Sequence, residues 1–292
     1  MTDIRNINKI LAAVDLGAET ERVLSYALWL AGVGGDVAPE LDLLYVIDYA
    51  LTPPSYLSAY LEKEKEREEK ELEEWEKRLR GRGVATAHRT ALGRLVETFH
   101  KSIEEMSADI MVLGYNSHLI RPSSSERLIK SLQVPMLVVR GEKAEKATIG
   151  SVAVKRIVFA TDFSEPALKA MDTARSLAEA ASAEVVVVHV ASRQDLEKAV
   201  RSCQEPEAET CRRNAVREAE ERLASLLSGW EGVEGVVTMG EPYEAINETA
   251  KERGADLIIM GARGLSYMKG IVLGSVSESV VKSSPCPVMI IH

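Results

Sequence analysis

The segment Met260 to Ser277, MGARGLSYMKGIVLGSVS, places glycines at positions 261, 264, 270 and 274. An apolar run precedes it and a polar stretch of helical character follows. Glycine has no Cβ, so it takes positive φ freely and lets a ligand approach the backbone. A loop of this kind entering a helix aims unpaired N–H groups and a positive dipole end at whatever lies there. This is chemistry for holding a phosphate without a basic side chain. The spacing is Gly261-x2-Gly264-x9-Gly274-Ser275, which is neither G-x-x-x-x-G-K-[ST] nor G-x-G-x-x-G. Asp162, in VFATDFSEP, ends an apolar run just before Ser164-Glu165-Pro166, a good helix start. Capping and ligand contact are both open to this carboxylate, and to Asp15 likewise. Arg263 and Lys269 are either phosphate contacts or exposed cations.

No catalytic constellation stands out. There is no nucleophile elbow, no Cys/His pairing and no metal-ligand spacing among His88, His100, His118, His189 and His292. His189 lies in an apolar strand and is expected to be packed and hydrogen-bonded. Cys203, Cys211 and Cys286 are odd in number and cannot build a disulfide framework. Free thiols and a reducing, cytoplasmic location are expected, with a regulatory disulfide between Cys203 and Cys211, which flank Pro206, as the alternative.

The elements that must position these residues occur twice. KILAAVDLGAETERVLSYALWLA, from Lys9, matches RIVFATDFSEPALKAMDTARSLA, from Arg156, and Asp15 and Asp162 lie 147 positions apart. GRLVETFHKSIEEMSADIMVLG, from Gly93, matches GEPYEAINETAKERGADLIIMG, from Gly240, at the same offset of 147. Two copies of one domain are expected, over residues 1–142 and 152–292, joined by a linker at Gly141 to Val154. Apolar runs separated by amphipathic helices indicate parallel sheets covered on both faces. The charged stretch Leu57 to Arg80 reads as a solvated helix with a thin apolar stripe. Its counterpart, about Asp195 to Leu227, contains Pro206, where a break is expected. The final runs, PMLVV and PVMIIH, each follow a proline and are expected at sheet edges.

The chain has 292 residues and a net charge of −9. That balance argues against a nucleic-acid partner, which needs a broad basic face, but leaves room for a small anion held by backbone amides. No apolar stretch is long enough to span a bilayer.

The spaced glycines, VFATDFS and the repeated G-x20-G block together resemble the universal stress protein family in its tandem form. The resemblance implies α/β architecture: two flavodoxin-like domains, each a five-stranded parallel sheet of order 3-2-1-4-5 with helices on both faces. It implies that members with this glycine motif bind ATP or AMP, with Mg as an optional companion ion. Carried onto the second copy, Asp162 meets the adenosine, with Ala160, Thr161 and Ser164 in the same turn. Val190 contacts the adenine through its backbone. Met260, Gly261, Arg263 and Gly264 line the ribose and phosphates, and Gly274, Ser275, Val276 and Ser277 cap the phosphates. It further implies pairing of the two copies as an intramolecular pseudo-dimer, and is compatible with a homodimer of whole chains.

Ser275 and Glu278 fit S-x-x-E, a capping box, and so do Ser123 and Glu126 in the first copy. The first copy, GYNSHLIRPSSSERLIKSLQVP, has no glycine after Gly114, and its loop is five residues shorter. The glycines of the second copy are therefore better explained by a ligand than by folding. A different mode in the first copy, through Asp15, Val46, Ser117 and Ser123 to Ser125, stays open. The functional expectation is an adenine-nucleotide-binding stress-response or signalling module. A slow ATPase or nucleotidyl-transfer enzyme, or a scaffold without nucleotide, are the alternatives.

Overall fold

The computed structural model describes residues 4–34, 38–48, 58–115, 123–203, 207–264 and 272–292, side chains of residues 5 and 58–64 excepted. The first half runs β1 (Lys9–Ala13), α1 (Thr20–Gly32), β2 (Glu40–Asp48), α2 (Ser58–Arg80), β3 (Thr86–Gly93), α3 (Leu95–Met106), β4 (Ile110–Gly114), α4 (Ser124–Ser131) and β5 (Met136–Val139). After a short α5 (Glu142–Glu145) the second half repeats the order: β6 (Arg156–Ala160), α6 (Glu165–Ala181), β7 (Glu184–Ser192), α7 (Arg193–Ser202), α8 (Ala208–Leu226), β8 (Glu234–Gly240), α9 (Pro242–Glu252), β9 (Leu257–Gly261), α10 (Ser275–Ser283) and β10 (Val288–Ile291).

The inner strands are apolar on both faces because both faces are covered. Leu257 to Gly261 and Val288 to Ile291 are buried at every position. Alternate side chains enter two cores. Ile157, Phe159 and Val187 meet α1, α2, α6 and α8 on one side. Val158, Ile258 and Ile290 meet α3, α4, α9 and α10 on the other. Within each half the strand order is 3-2-1-4-5, as the family resemblance implies.

The final strands do not remain edges. β5 and β10 pair antiparallel, Leu137 opposite Met289, and make one ten-stranded sheet ordered β3-β2-β1-β4-β5-β10-β9-β6-β7-β8. Each edge strand satisfies its backbone groups on the other. The free edges are β3 and β8.

Two further expectations need adjustment, those on the joining segment and the cysteines, while the break expected in the counterpart of α2 is met. The segment joining the halves is docked rather than loose: Ala144 is buried, Lys143 Nζ lies 2.7 Å from Asp256 Oδ1, and Gly141 has φ +81° against the Pro285 backbone, where no Cβ fits. The counterpart of α2 is divided between α7 and α8, on either side of Pro206, itself outside the described residues. Cys203 and Cys211 are not free thiols. They form a disulfide, because the end of α7 and the first turn of α8 bring their Cα atoms to 6.0 Å. Cys286 is the free cysteine; burial raises its thiol pKa to about 12, leaving it unreactive near neutrality. The charged α2 behaves as expected, with Leu72 and Leu79 buried along its thin stripe. No helix among the described residues is long and apolar enough to cross a membrane.

Candidate nucleotide site

Four strand ends meet where β6 and β9 lie side by side in the second half, with β7 and β10 flanking them. Thr161 N donates to Val188 O at 2.9 Å, which brings the Ala160–Thr161 end beside Val190. Phe163 then takes φ +60°, an uncommon conformation for a side chain of this size. Leu16 does the same after Asp15, with φ +55°. The strained turn is therefore part of the fold in both halves. In the second half Asp162 Oδ1 accepts from Ser164 N at 3.0 Å, and Ser164 Oγ, the N-cap of α6, accepts from Ala167 N at 3.3 Å. In the first, Asp15 Oδ1 accepts from Gly17 N at 3.0 Å and from Thr20 Oγ1 at 3.2 Å. The capping reading of both aspartates thus has its partners, and one oxygen of each carboxylate is used this way.

His189 is packed and bonded, as expected. Its Nδ1 lies 2.9 Å from Thr161 O, and its ring is 4.3 Å from Phe163 between centroids. Burial lowers its pKa, so it sits neutral. Arg222 from α8 lies over the other partner, 4.4 Å from the Phe163 centroid. Sequence reasoning missed Arg222, since nothing local ties α8 to this turn.

The glycines act through close approach, not handedness. Gly261, Gly264 and Gly274 are absent from the positive-φ positions, contrary to expectation; Gly270 and Lys269 lie outside the described residues. A Cβ at Gly264 would overlap the Asp162 carboxylate. A Cβ at Gly261 would meet backbone atoms of Arg263, Ala167 and Pro166 at 3.3 to 3.4 Å. These positions press the loop onto the Asp162 turn. Gly274 N then donates to Ala262 O at 2.7 Å, bringing the start of α10 over the end of β9.

The expected capping box at Ser275 and Glu278 is not formed. α10 begins one residue earlier than that motif requires: Gly274 is its N-cap, with no side-chain cap hydrogen bond. Glu278 pairs instead with Lys130 at 2.8 Å and with Lys282 at 2.5 Å. The Ser277 hydroxyl donates to Gly261 O at 3.0 Å, so its backbone N–H is what it can offer a ligand. The structural positions correspond as Ser123 to Gly274, Glu126 to Ser277 and Tyr115 to Ala262.

The first half fills the same place with its own groups. Ser123 Oγ accepts from Glu126 N, and Glu126 Oε2 accepts from Ser123 N, both at 3.2 Å. Tyr115 OH donates to Glu126 Oε1 at 2.9 Å, and Arg140 lies over the Tyr115 ring. Arg127 Nη1 donates to Asp48 Oδ2 at 2.9 Å. The chain itself thus serves this helix start: the Ser123 hydroxyl takes the Glu126 amide in the first turn of α4, and the Glu126 carboxylate takes the Ser123 amide just before it. Ser117, from the alternative first-half mode, lies outside the described residues. Ser123→Ala should therefore cost about 1 kcal/mol in urea unfolding, while Ser275→Ala should change stability by less than about 0.5 kcal/mol. Equal losses would restore the expected second capping box.

Among the described residues no group of three or more His, Cys, Asp or Glu could hold a metal ion. The arrangement offers a tight turn, an uncapped helix start, one carboxylate and one guanidinium. That is binding chemistry for an anion attached to a polar body.

The family model for the universal stress protein family matches residues 6–140 and again 153–292. Universal stress protein MJ0577 of Methanocaldococcus jannaschii is 31% identical over 157 residues, covering 48% of this chain and 96% of the relative. A universal stress protein of Thermus aquaticus is 34% identical over 140 residues, covering 47% of this chain and 98% of the relative. The crystal structure of a universal stress protein from Archaeoglobus fulgidus covers 98% of this chain and 96% of its own, at a TM-score of 0.72 and 24% identity, a likeness of fold. Matched twice in succession by one family model, the chain belongs to the universal stress protein family in its tandem form.

Proposed function

We propose that the second half binds an adenine nucleotide, ATP or AMP, and that the protein is a nucleotide-responsive stress or signalling module rather than an enzyme. The observation carrying this reading is the bare N-terminus of α10. Gly274 leaves the first-turn N–H groups without a side-chain cap, at the position where the first half places the Ser123 hydroxyl. Uncapped donors at a helix start favour an anion.

In this reading the backbone N–H groups of Ser275, Val276 and Ser277 hold phosphate oxygens. Arg263 adds charge from the facing turn. Asp162 meets the adenosine, with Ala160, Thr161 and Ser164 shaping the turn and the Val190 backbone beside the base. Met260, Gly261 and Gly264 keep the floor close. A Mg ion, where present, is carried by the phosphates. The domains proposed are residues 1–142 and 152–292, with the β5–β10 pairing as an internal pseudo-dimer; association of whole chains into a homodimer is a further step of the same reading. A cytoplasmic location belongs to it too, and there the Cys203–Cys211 bridge stands against a reducing thiol pool.

Acid extraction of the purified protein followed by mass spectrometry should release an adenine nucleotide. Added to stripped protein at 100 times its Kd, the nucleotide should stabilise the fold by about 2.7 kcal/mol. Thermal unfolding should then rise by several degrees. No adenine compound and no thermal response to millimolar ATP, ADP or AMP would overturn the reading. Steady multiple turnover that Asp162→Asn abolishes would replace it with the ATPase alternative.

A further inference from the structure

His292 carries unused polar capacity beside the proposed site. Ile291 pairs with Gly261 in the β10–β9 register, and Ala262 N donates to Ile291 O at 2.7 Å. His292 follows directly, level with the loop that runs through Arg263 and Gly264. Gly274 N donates to Ala262 O, so the start of α10 hangs on the same short ladder of backbone bonds. Three backbone segments thus converge: the exit of β10, the exit of β9 and the entry of α10.

Both ring nitrogens of His292 are buried, and neither has a hydrogen-bond partner. Among the described residues it is the one side chain with two such orphaned atoms. A buried donor or acceptor left unpaired loses its hydration with nothing to replace it. Buried polar groups in native proteins are nearly always paired, so an orphaned pair of ring nitrogens calls for a partner from outside the chain. Burial first, and the Arg263 charge second, hold the imidazole pKa near 4. At neutral pH the ring is therefore uncharged and keeps one N–H donor.

The equivalent position in the first half is treated differently. Arg140 follows Val139 as His292 follows Ile291, and Tyr115 N donates to Val139 O as Ala262 N does to Ile291 O. Arg140 spends its guanidinium on the Tyr115 ring and on Val281 O across the seam. In the second half Ala262 stands where Tyr115 would be, and His292 replaces the arginine. The half whose helix start is bare is also the half with an uncommitted imidazole next to it.

We propose that His292 is a phosphate-contact residue of the second-half nucleotide site, its ring N–H donating to an oxygen at the phosphate end of the bound nucleotide. The proposal rests on the adenine-nucleotide reading above and adds a side chain to it. Arg263 and His292 then approach the phosphates from one side, and the α10 amides from the other. The neutral ring suits this: it supplies a directed donor without the cost of burying a second cation beside Arg263.

The test compares adenosine, AMP, ADP and ATP on the full chain by titration calorimetry, for the wild type, His292→Leu and His292→Gln. His292→Leu should weaken AMP, ADP and ATP about tenfold and leave adenosine unchanged, since adenosine carries no phosphate. His292→Gln, which retains an amide donor, should restore most of the loss. In NMR spectra of histidine-labelled protein, the His292 ring signals should move on adding ADP and stay in place on adding adenosine. An equal loss for all four ligands, or no loss, overturns the proposal while leaving the nucleotide site standing. Failure of the wild type to bind any of the four overturns the nucleotide reading and this proposal together.

Discussion

Replacing Gly274 with valine is expected to abolish the proposed nucleotide binding and to leave the fold standing. The backbone there, φ −73° and ψ 157°, is extended and suits a β-branched residue. A Cβ at this position meets Ala262 O at 3.4 Å and Arg263 Cα at 3.6 Å, ordinary contacts that need no rearrangement. The two added methyl groups then stand over the first turn of α10, in the space an anion must enter. They also shield the amides from the direction of the ligand. The expected loss is at least about 100-fold in Kd, or about 2.7 kcal/mol. In the absence of nucleotide the variant should unfold within about 1 kcal/mol of the wild type. Calorimetric titration and urea unfolding on the same sample read the two effects separately. Undiminished affinity places the nucleotide elsewhere. Gly264→Ala is a poorer test, because its Cβ overlaps Asp162 and the turn itself must move.

The second large effect lies at the seam between the halves. Met289 is fully buried and faces Leu137 across the antiparallel β5–β10 pair. Met289→Lys places an amine among Leu137, Val139 and Ile291 in a shared core. An unpaired charge in that apolar core costs several kcal/mol. The expected destabilisation is about 4 kcal/mol or more, in the exceptional range for one substitution. Leu92→Lys is the control: Leu92 is 55% exposed on the outer strand β3, and its replacement should change stability by no more than about 0.5 kcal/mol. Thermal unfolding of the two variants gives the comparison. A Met289→Lys protein that melts with the wild type refutes the continuous sheet.

The shared seam bears on how the two halves divide their work. Lys130 of α4 reaches Glu278 of α10, and Arg140 reaches Val281 O. The helix whose start is proposed to hold phosphate is thus fastened along its length by the half whose own helix start is closed by the Ser123–Glu126 capping box. On the proposed reading, one copy of the duplicated domain holds the ligand and the other supports it.

The amino-acid sequence alone determined the duplication, the strand and helix order and the family. These rest on signals along the chain: apolar runs and helical periodicity, set by neighbours within a few positions, and a constant offset between the two copies. Ser164 as a cap and His189 as a packed histidine were legible for the same reason. The tertiary structure decided what depends on distant partners. Gly274, not Ser275, caps α10, because Ala262 O takes its N–H and sets where the helix begins. The motif glycines serve close approach rather than positive φ, because Asp162 and the start of α6 press against them. Cys203 finds Cys211 because two helix ends meet, and β5 finds β10 because each leaves a row of backbone groups unpaired. Hydrogen bonds and burial between segments far apart in the chain have no periodic trace along it, so only folding brings them into view.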